Sequence, residues 1–199
     1  AYQNTISGRP LAMPINYFEP NNTKLAAVND EYLWGKDLLI APIQEKGKSS
    51  RIVYFPKGRW INWWTSEVAS DSTVVNAPLE QVPIFAKSGS IVPMTINLKN
   101  TEAYTGDTLV VRYFADDTQK AEFTLYDDNG KDPQAIAHKQ YELINFKGIP
   151  GKHTQKVEIR GGKTGRLRSI RIELIQPGKP TKFMDTTYSG GKKVVVFTL

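Results

Sequence analysis

The second half of the sequence is a succession of short apolar segments separated by turn residues, and this pattern restricts the fold more than any other feature. The segments contain many β-branched and aromatic residues, and the stretches between them are rich in Gly, Asn and Asp. Such a pattern is typical of an antiparallel β-sandwich. The segments are TLVVRYF (108–114), AEFTLYDDNG (121–130), KQYELINF (139–146), TQKVEIRGG (154–162), SIRIELI (169–175) and TKFMDTTYSGGKKVVVFTL (181–199). We expect the last segment to be a hairpin that turns at Gly190-Gly191.

The first half also predicts strands. DLLIAPI (37–43) is a continuous apolar run, as expected for a strand that is buried on both faces of a sheet. QVPIFAKSGSIVPM (81–94) holds two short apolar runs with a proline near each end, and Gly89 supplies the positive φ of a tight reversal. We therefore expect a compact hairpin at 81–94. Helical periodicity is scarce, and its best candidate is a short stretch at 29–35.

The composition is that of a folded protein and excludes several kinds of site. Of the 199 residues, 40% are hydrophobic and 23% are charged, and a chain of this length forms one larger domain or two small ones. Because there is no cysteine, disulfides, thiolate catalysis and cysteine-ligated metals are excluded. The compartment stays open, and a periplasmic or secreted location is compatible with the sequence. No apolar run approaches the roughly 20 residues of a membrane helix, so we expect no membrane partner.

Basic residues are concentrated at the end of the chain. Residues 139–199 contain 13 Lys and Arg against 4 Asp and Glu, whereas residues 1–138 contain 13 against 16. Solvated strand faces account for such a segment without any ligand. A surface for polyanions that carry phosphates or sulfates is the alternative. We expect no nucleic-acid partner.

Three tryptophans lie close together in VYFPKGRWINWWTSE (53–67). Trp60, Trp63 and Trp64 could form a platform for sugar rings, because aromatic faces suit the apolar faces of pyranoses. In a small β-domain the same residues more often fill the core. Alternation along a strand places Trp60 and Trp64 on one face and Trp63 on the other. We expect Trp60 and at least one of the other two to be mostly buried.

The remaining candidate motifs favour turns over binding sites. GGKTG (161–165) lacks the first glycine of a phosphate-binding loop. DDNGKD (127–132) is acidic but lacks the alternating ligands and the bidentate Glu of a calcium loop. His138 and His153 show neither metal-ligand nor catalytic-triad spacing. We therefore expect no cofactor and no metal, and no two carboxylates stand out as a catalytic pair.

Four consecutive segments resemble the C-terminal part of glycoside hydrolase family 31 in their order and spacing. They are GRPLAMPINYF (8–18), DEYLWGKDLLIAPI (30–43), VYFPKGRWINWWTSE (53–67) and APLEQVPIFAKSGSIVPM (77–94). Further along, LYDDNGKD (125–132) is similar to a turn in the distal sandwich of that family. Ile61 and Asn62 depart from the family, which usually has Tyr-Asp there.

The resemblance implies an all-β region of a retaining α-glycosidase, of the α-glucosidase or α-xylosidase type, that hydrolyses α-linked oligosaccharides. It divides the chain into the end of the catalytic barrel region (1–36), a proximal C-terminal β-sandwich (37–97) and a distal C-terminal β-sandwich (98–199). The nucleophile and acid/base motifs of the family do not occur here. We therefore expect a non-catalytic accessory region whose partner is the missing catalytic barrel of the same polypeptide.

The barrel region also predicts an apolar surface. Leu11, Met13 and Ile15 would face a barrel that this chain lacks, so we expect them to form an exposed patch that favours self-association.

Two other classes of function stay open. The first is a carbohydrate-binding module in which one of the three tryptophans, or a distal aromatic residue such as Tyr188, stacks on an oligosaccharide. The exposure of the rings separates it from a structural role. The second is a polyanion-binding domain that uses the basic last third, and steep salt dependence would identify it.

Overall fold

The computed structural model describes residues 2–96, 98–163 and 165–199. Strands account for 46% of the structure and helices for 7%, which confirms the all-β class. The chain forms two compact units, of which the first ends at Ser88 and the second begins at Gly89. The sequence placed the corresponding boundary at residue 97, which lies outside the described residues. The division into three parts stays a prediction.

The first unit is built from short strands. Its elements are α1 (Tyr2–Ser7), β1 (Ala12–Pro14), α2 (Thr23–Ala26), β2 (Tyr32–Trp34), β3 (Leu38–Ile40), β4 (Ser50–Tyr54), β5 (Trp60–Asn62), β6 (Val68–Ala69), β7 (Ser72–Asn76) and β8 (Ile84–Lys87). Six strands form one sheet in the order β1-β2-β3-β8-β5-β6, and β4 pairs with β7 in a separate ribbon. The core packs Leu33, Leu39 and Phe85 of the sheet together with Val53 and Val75 of the ribbon.

The first 36 residues are part of this unit. Because β1 pairs with β2 and β2 pairs with β3, they extend the six-stranded sheet. Met13 and Ile15 are 1% and 0% exposed, so the predicted exposed patch of Leu11, Met13 and Ile15 is wrong. The helical stretch predicted at 29–35 is also wrong, because β2 lies there. That residues 1–36 are the end of a catalytic barrel stays a prediction.

The second unit is a sandwich of two four-stranded sheets. Its elements are β9 (Ser90–Thr95), a 3₁₀ turn (Thr101–Ala103), β10 (Thr108–Phe114), β11 (Ala121–Asp128), β12 (Tyr141–Gly151), β13 (Thr154–Gly161), β14 (Arg168–Ile175), β15 (Lys182–Tyr188) and β16 (Lys192–Thr198). The sheet orders are β15-β14-β10-β9 and β11-β12-β13-β16. Val111 and Ile172 of one sheet share a core with Phe146 and Ile159 of the other. β10 and β14 pair in parallel, whereas the sequence analysis predicted an antiparallel sandwich.

Both connections predicted as hairpins instead carry the chain from one sheet to another. β8 lies in the six-stranded sheet and β9 pairs with β10, so 81–94 is not a hairpin. In the same way β15 pairs with β14 whereas β16 pairs with β13. Gly89 does have the predicted positive φ, +78°, and Gly190, where a turn was predicted, has a φ of +93°. The turn residues therefore predict the change of direction correctly but do not determine which strand becomes the partner.

Candidate functional site

Trp60 belongs to the core of the first unit. It lies in β5, is 1% exposed, and packs with its ring centroid 6.4 Å from that of Phe55. Its indole N–H donates a hydrogen bond to the Pro56 carbonyl at 2.9 Å. The expectation that Trp60 is buried is confirmed, and almost none of its ring surface is open to a ligand.

Trp63 and Trp64 lie in a turn beyond the end of β5. Asn62 Oδ1 accepts hydrogen bonds from the N–H groups of Trp64 and Thr65, and the strand alternation that was predicted for the tryptophans ends there. Trp63 is partly buried, whereas Trp64 is 47% exposed. The indole N–H of Trp64 donates to the Val82 carbonyl at 2.8 Å, which fixes the ring. Sugar stacking stays a prediction, and Trp64 is the tryptophan of the three with the most accessible ring.

Two carboxylates of the second unit lie in its interior beside two arginines. Asp127 in β11 is directly opposite Glu142 in β12. Arg166 Nη1 donates to Asp127 Oδ2 at 2.9 Å and to Glu142 Oε1 at 2.8 Å. Arg168 Nη2 donates to the same two oxygens. The two carboxylate side chains are 2% and 4% exposed and that of Arg168 is fully buried, so the four residues form an internal charge network.

This network does not have the properties of a glycosidase pair. A retaining glycosidase needs one carboxyl group that stays protonated to act as the acid, and both groups must face a cleft. Burial raises the pKa of Glu142, but the Lys163 N–H, Arg168 and Arg166 outweigh it and hold that pKa below its ordinary value. The two carboxylates are also almost inaccessible to solvent. The arrangement therefore binds β11, β12 and the start of β14 together.

The first unit contains a buried carboxylate with a single arginine. The Glu31 side chain is fully buried and accepts hydrogen bonds from Arg51 Nη2 at 2.8 Å and from the Tyr54 N–H at 3.1 Å. Arg51 Nη1 donates to the carbonyls of Asp30 and Pro42. Burial raises the pKa of Glu31 to about 7, against the lowering by the Tyr54 N–H and Arg51. Glu31 thus connects the start of β2 to the end of β4.

Apart from Asp127, which belongs to the charge network, the carboxylates of the acidic motif at 127–132 have partners nearby in the chain. Asp128 accepts hydrogen bonds from the Gly130 N–H at 2.7 Å and from the Tyr126 hydroxyl. Asp132 Oδ2 lies 2.7 Å from His138 Nδ1 in an exposed loop. Within residues 2–96, 98–163 and 165–199, no group of three or more His, Asp or Glu side chains is arranged to hold a metal ion.

The GGKTG stretch (161–165) joins two strands. Gly161 and Gly162 have φ of +91° and +73°, and a Cβ atom at Gly161 would collide with the Leu143 carbonyl oxygen. This geometry is typical of a turn. Thr164 lies outside the described residues.

The six-stranded sheet of the first unit is apolar on both faces, a feature that sequence reasoning recognised only in part. One face packs on the core, and the other carries two rows of cross-strand neighbours. The rows are Ala12, Trp34, Leu38, Ala86 and Ile61, and Pro14, Tyr32, Ile40 and Ile84. Trp34 is 47% exposed, and Leu38, Ile40 and Ile84 are partly exposed, whereas Ala86 and Ile61 at the other end of the row are fully buried. Since sheets with two apolar faces are normally covered on both sides, the second face is a candidate interface.

The DLLIAPI run (37–43) was the signal for this surface. It predicted a strand buried on both faces, whereas β3 has one face in the core and Leu38 and Ile40 only half-buried on the other.

None of the helices in the described ranges has the length and the apolar character to cross a membrane.

Comparison with known proteins gives a family match for the first unit. Residues 8–92 match the model of the glycosyl hydrolase family 31 C-terminal domain. Alpha-glucosidase 2 of Bacillus thermoamyloliquefaciens is 33% identical over 127 residues, which cover 63% of this chain and 16% of that protein. The alpha-glucosidase of Saccharolobus solfataricus is 38% identical over 87 residues, which cover 44% of this chain and 12% of that protein. The chain therefore spans only a small part of the length of these relatives.

Solved structures share the fold of the chain. The family 31 alpha-xylosidase of Xanthomonas citri superposes with a TM-score of 0.80 at 24% identity, over 98% of this chain and 22% of that one. A family 31 dextranase of Flavobacterium johnsoniae superposes with a TM-score of 0.83 at 18% identity, over 100% of this chain and 30% of that one. At these identities the likeness shows the fold alone.

Proposed function

We propose that the chain, whose residues 8–92 match the glycosyl hydrolase family 31 C-terminal domain, is a non-catalytic accessory region of a retaining α-glycosidase. The parent enzyme is of the α-glucosidase or α-xylosidase type and hydrolyses α-linked oligosaccharides. Its catalytic barrel belongs to the same polypeptide and is the principal partner of this chain.

The second apolar face of the six-stranded sheet carries the proposal. Trp34, Leu38, Ile40 and Ile84 lie on this face and are partly or half exposed. A contiguous apolar surface of this kind marks an interaction site in a soluble protein. The matching relatives are much longer than the chain. We therefore assign this face to the catalytic barrel.

The buried carboxylates support a non-catalytic role. Glu31 is held by Arg51, and Asp127 and Glu142 are held by Arg166 and Arg168. Each of these acids connects elements of its own unit, and each is almost fully buried. They therefore serve the stability of the fold that supports the barrel.

Surface variants test the interface. We expect Trp34→Ser, made in the polypeptide encoded by the full reading frame, to lower the thermal midpoint and the yield of active enzyme. Val74→Ser is the matched control, because Val74 is 67% exposed on the outer side of the β4–β7 ribbon. If both variants leave the full polypeptide unchanged, the face does not contact the barrel.

An activity assay tests the catalytic assignment. The 199-residue chain is expected to leave p-nitrophenyl α-glucoside and α-xyloside intact, whereas the full polypeptide should cleave at least one of them. Turnover by the repurified 199-residue chain above a heat-treated control would overturn the proposal, because two catalytic carboxylates would then have to lie within this chain.

A further inference from the structure

The second unit carries an open groove on the outer face of the sheet β15-β14-β10-β9. Its volume is about 610 Å³, which is within the range of small-molecule sites. Its lining includes the apolar side chains of Ile96 and Val110. Ile96 is 48% exposed and Val110 is partly exposed, so these side chains are accessible from solvent.

Three hydroxyl groups form a row across this groove. Thr108 of β10 is opposite Ser169 of β14, and Ser169 is opposite Thr187 of β15. All three residues are exposed, and in the described part of the chain no hydrogen bond joins their hydroxyls to another protein group. Because neighbouring strands lie roughly 4.8 Å apart, the row is about 10 Å long. It offers donors and acceptors that are free to meet a ligand.

The charges of the groove are balanced. Arg171 Nε and Nη2 donate to the two carboxylate oxygens of Asp185 at 2.7 and 2.9 Å. The guanidinium carbon of Arg171 also lies 5.0 Å from the centroid of the Phe183 ring, which holds it in place. On the same face Arg112 pairs with Glu173 at 2.9 Å.

The paired charges distinguish the groove from the basic segment of the chain that forms part of it. Residues 139–199 as a whole contain 13 basic against 4 acidic residues, yet the arginine in the groove already has its carboxylate. Asp185 already neutralises Arg171 through Nε and Nη2, and its carboxylate would repel a phosphate or sulfate group that approached the remaining N–H donors. The groove therefore suits an uncharged polar ligand.

We propose that this groove binds a neutral oligosaccharide. Sugar hydroxyls can donate to and accept from Thr108, Ser169 and Thr187, and two neighbouring hydroxyls match the donor and acceptor edges of the Arg171–Asp185 pair. The C–H face of the ring packs on Ile96 and Val110. The use of α-linked glucans as the first probes rests on the proposed function, whereas the affinity of the groove for a neutral sugar does not.

Nuclear magnetic resonance tests the proposal on the 199-residue chain. We expect titration with maltotriose or isomaltotriose to shift the backbone amides of Ser169, Arg171 and Thr187 saturably. In the double variant Ser169→Ala/Thr187→Val the Kd should rise about tenfold, because one hydrogen bond contributes roughly a factor of two to ten. Thr198→Val is the matched control, since Thr198 is an exposed threonine in β16 of the other sheet, and it should leave the Kd unchanged.

Three results would overturn the proposal. The first is an absence of saturable shifts at these amides with maltotriose, isomaltotriose and the β-linked xylotriose. The second is binding of inorganic sulfate or phosphate at the same amides in competition with the sugars. The third is a double variant that binds as tightly as the parent while keeping its amide dispersion. Binding of xylotriose alone supports the groove. The experiment measures no hydrolysis, so its failure and the failure of the proposed function are separate.

Discussion

The two units place a different number of arginines beside a buried glutamate. In the first unit Glu31 has one guanidinium, that of Arg51, and burial raises its pKa to about 7. In the second unit Glu142 has the guanidiniums of Arg166 and Arg168, and its pKa lies below its ordinary value although burial acts to raise it. At Glu31 burial, with the charge of Asp30 in addition, prevails over the Tyr54 N–H and Arg51, whereas at Glu142 the Lys163 N–H and two guanidiniums prevail over burial.

This difference gives the two units opposite responses to pH. Because the folded state raises the pKa of Glu31 above its ordinary 4.5, its contribution to stability is fully present below pH 4.5 and is lost as the pH rises towards 7. Because the folded state lowers the pKa of Glu142, its contribution is present above pH 4.5 and is lost as the pH falls below that value. All four tryptophans lie in the first unit, so their fluorescence follows that unit, and amide hydrogen exchange follows the second.

The largest effect is expected from Arg168→Leu, which would leave Asp127 and Glu142 to share the guanidinium of Arg166. Loss of one partner from a buried ion pair leaves uncompensated charge and costs about 3–5 kcal/mol in the free energy of unfolding. The pKa of Glu142 should rise at the same time. Chemical denaturation followed by amide exchange in β12 measures the first quantity, and a carboxyl NMR titration measures the second.

Arg160→Leu is the control for this experiment. Arg160 pairs with Glu158 on the exposed surface, and the Arg160 side chain is 57% exposed. Its replacement should leave the free energy of unfolding nearly unchanged, because exposed ion pairs contribute little. Equal losses for Arg160→Leu and Arg168→Leu would show that the internal network contributes no more than a surface pair.

Glu142→Gln should have the next largest effect. The substitution keeps the shape of the side chain but replaces the carboxylate with a neutral amide. That carboxylate accepts hydrogen bonds from the Lys163 N–H and from the two arginines. We expect a loss of about 1.5–3 kcal/mol near pH 7, as for hydrogen bonds to charged groups. The difference from the parent should shrink as the pH falls below 4.5, since the parent carboxylate is then also neutral. A constant difference down to pH 3 would contradict the assigned pKa direction.

Glu31→Gln should have a smaller effect and the opposite pH dependence. Glutamine mimics the protonated acid, so the free energy of unfolding of the variant should equal that of the parent at pH 4.5. As the pH rises towards 7, the variant should become more stable than the parent. Tryptophan fluorescence during urea denaturation at several pH values measures this. The exposed Glu45→Gln is the matched control and should follow the parent at every pH. If Glu31→Gln is less stable than the parent at pH 8, Arg51 prevails over burial and the contrast between the units fails.

Much of this architecture could be predicted from local sequence. β10 begins and ends where the TLVVRYF segment (108–114) does, and Pro93 lies in the edge strand β9, as a residue without an N–H donor requires. Pairing partners could not be predicted in the same way. Gly89 and Gly190 allow the same backbone reversal whether the next strand joins the same sheet or another one. The partner depends on distant strands such as β10 and β13.

The internal charge network of the second unit could not be predicted from the sequence either. The basic last third was expected to cover solvated strand faces, yet it supplies Arg168, which is fully buried. Composition counts charges but does not reveal which side of a strand each one occupies. The orientation of Trp64 could not be predicted either. β5 ends at Asn62, so Trp64 does not follow the alternation of side chains along the strand.

The smallest effect is expected from Tyr104→Phe, which removes one neutral donor from the network and leaves both arginines. The Tyr104 hydroxyl donates to Asp127 Oδ1 at 3.3 Å, and burial together with the Asp127 charge raises the pKa of Tyr104 to about 12. The phenol therefore stays protonated at both pH 6 and pH 9, and the loss, about 1 kcal/mol for one hydrogen bond, should be the same at these two pH values. Tyr17→Phe, at an exposed tyrosine of the first unit, should cost nothing measurable. If Tyr104→Phe instead costs as much as Arg168→Leu, a neutral donor contributes as much to the network as a guanidinium, and the explanation of the contrast between the two units must change.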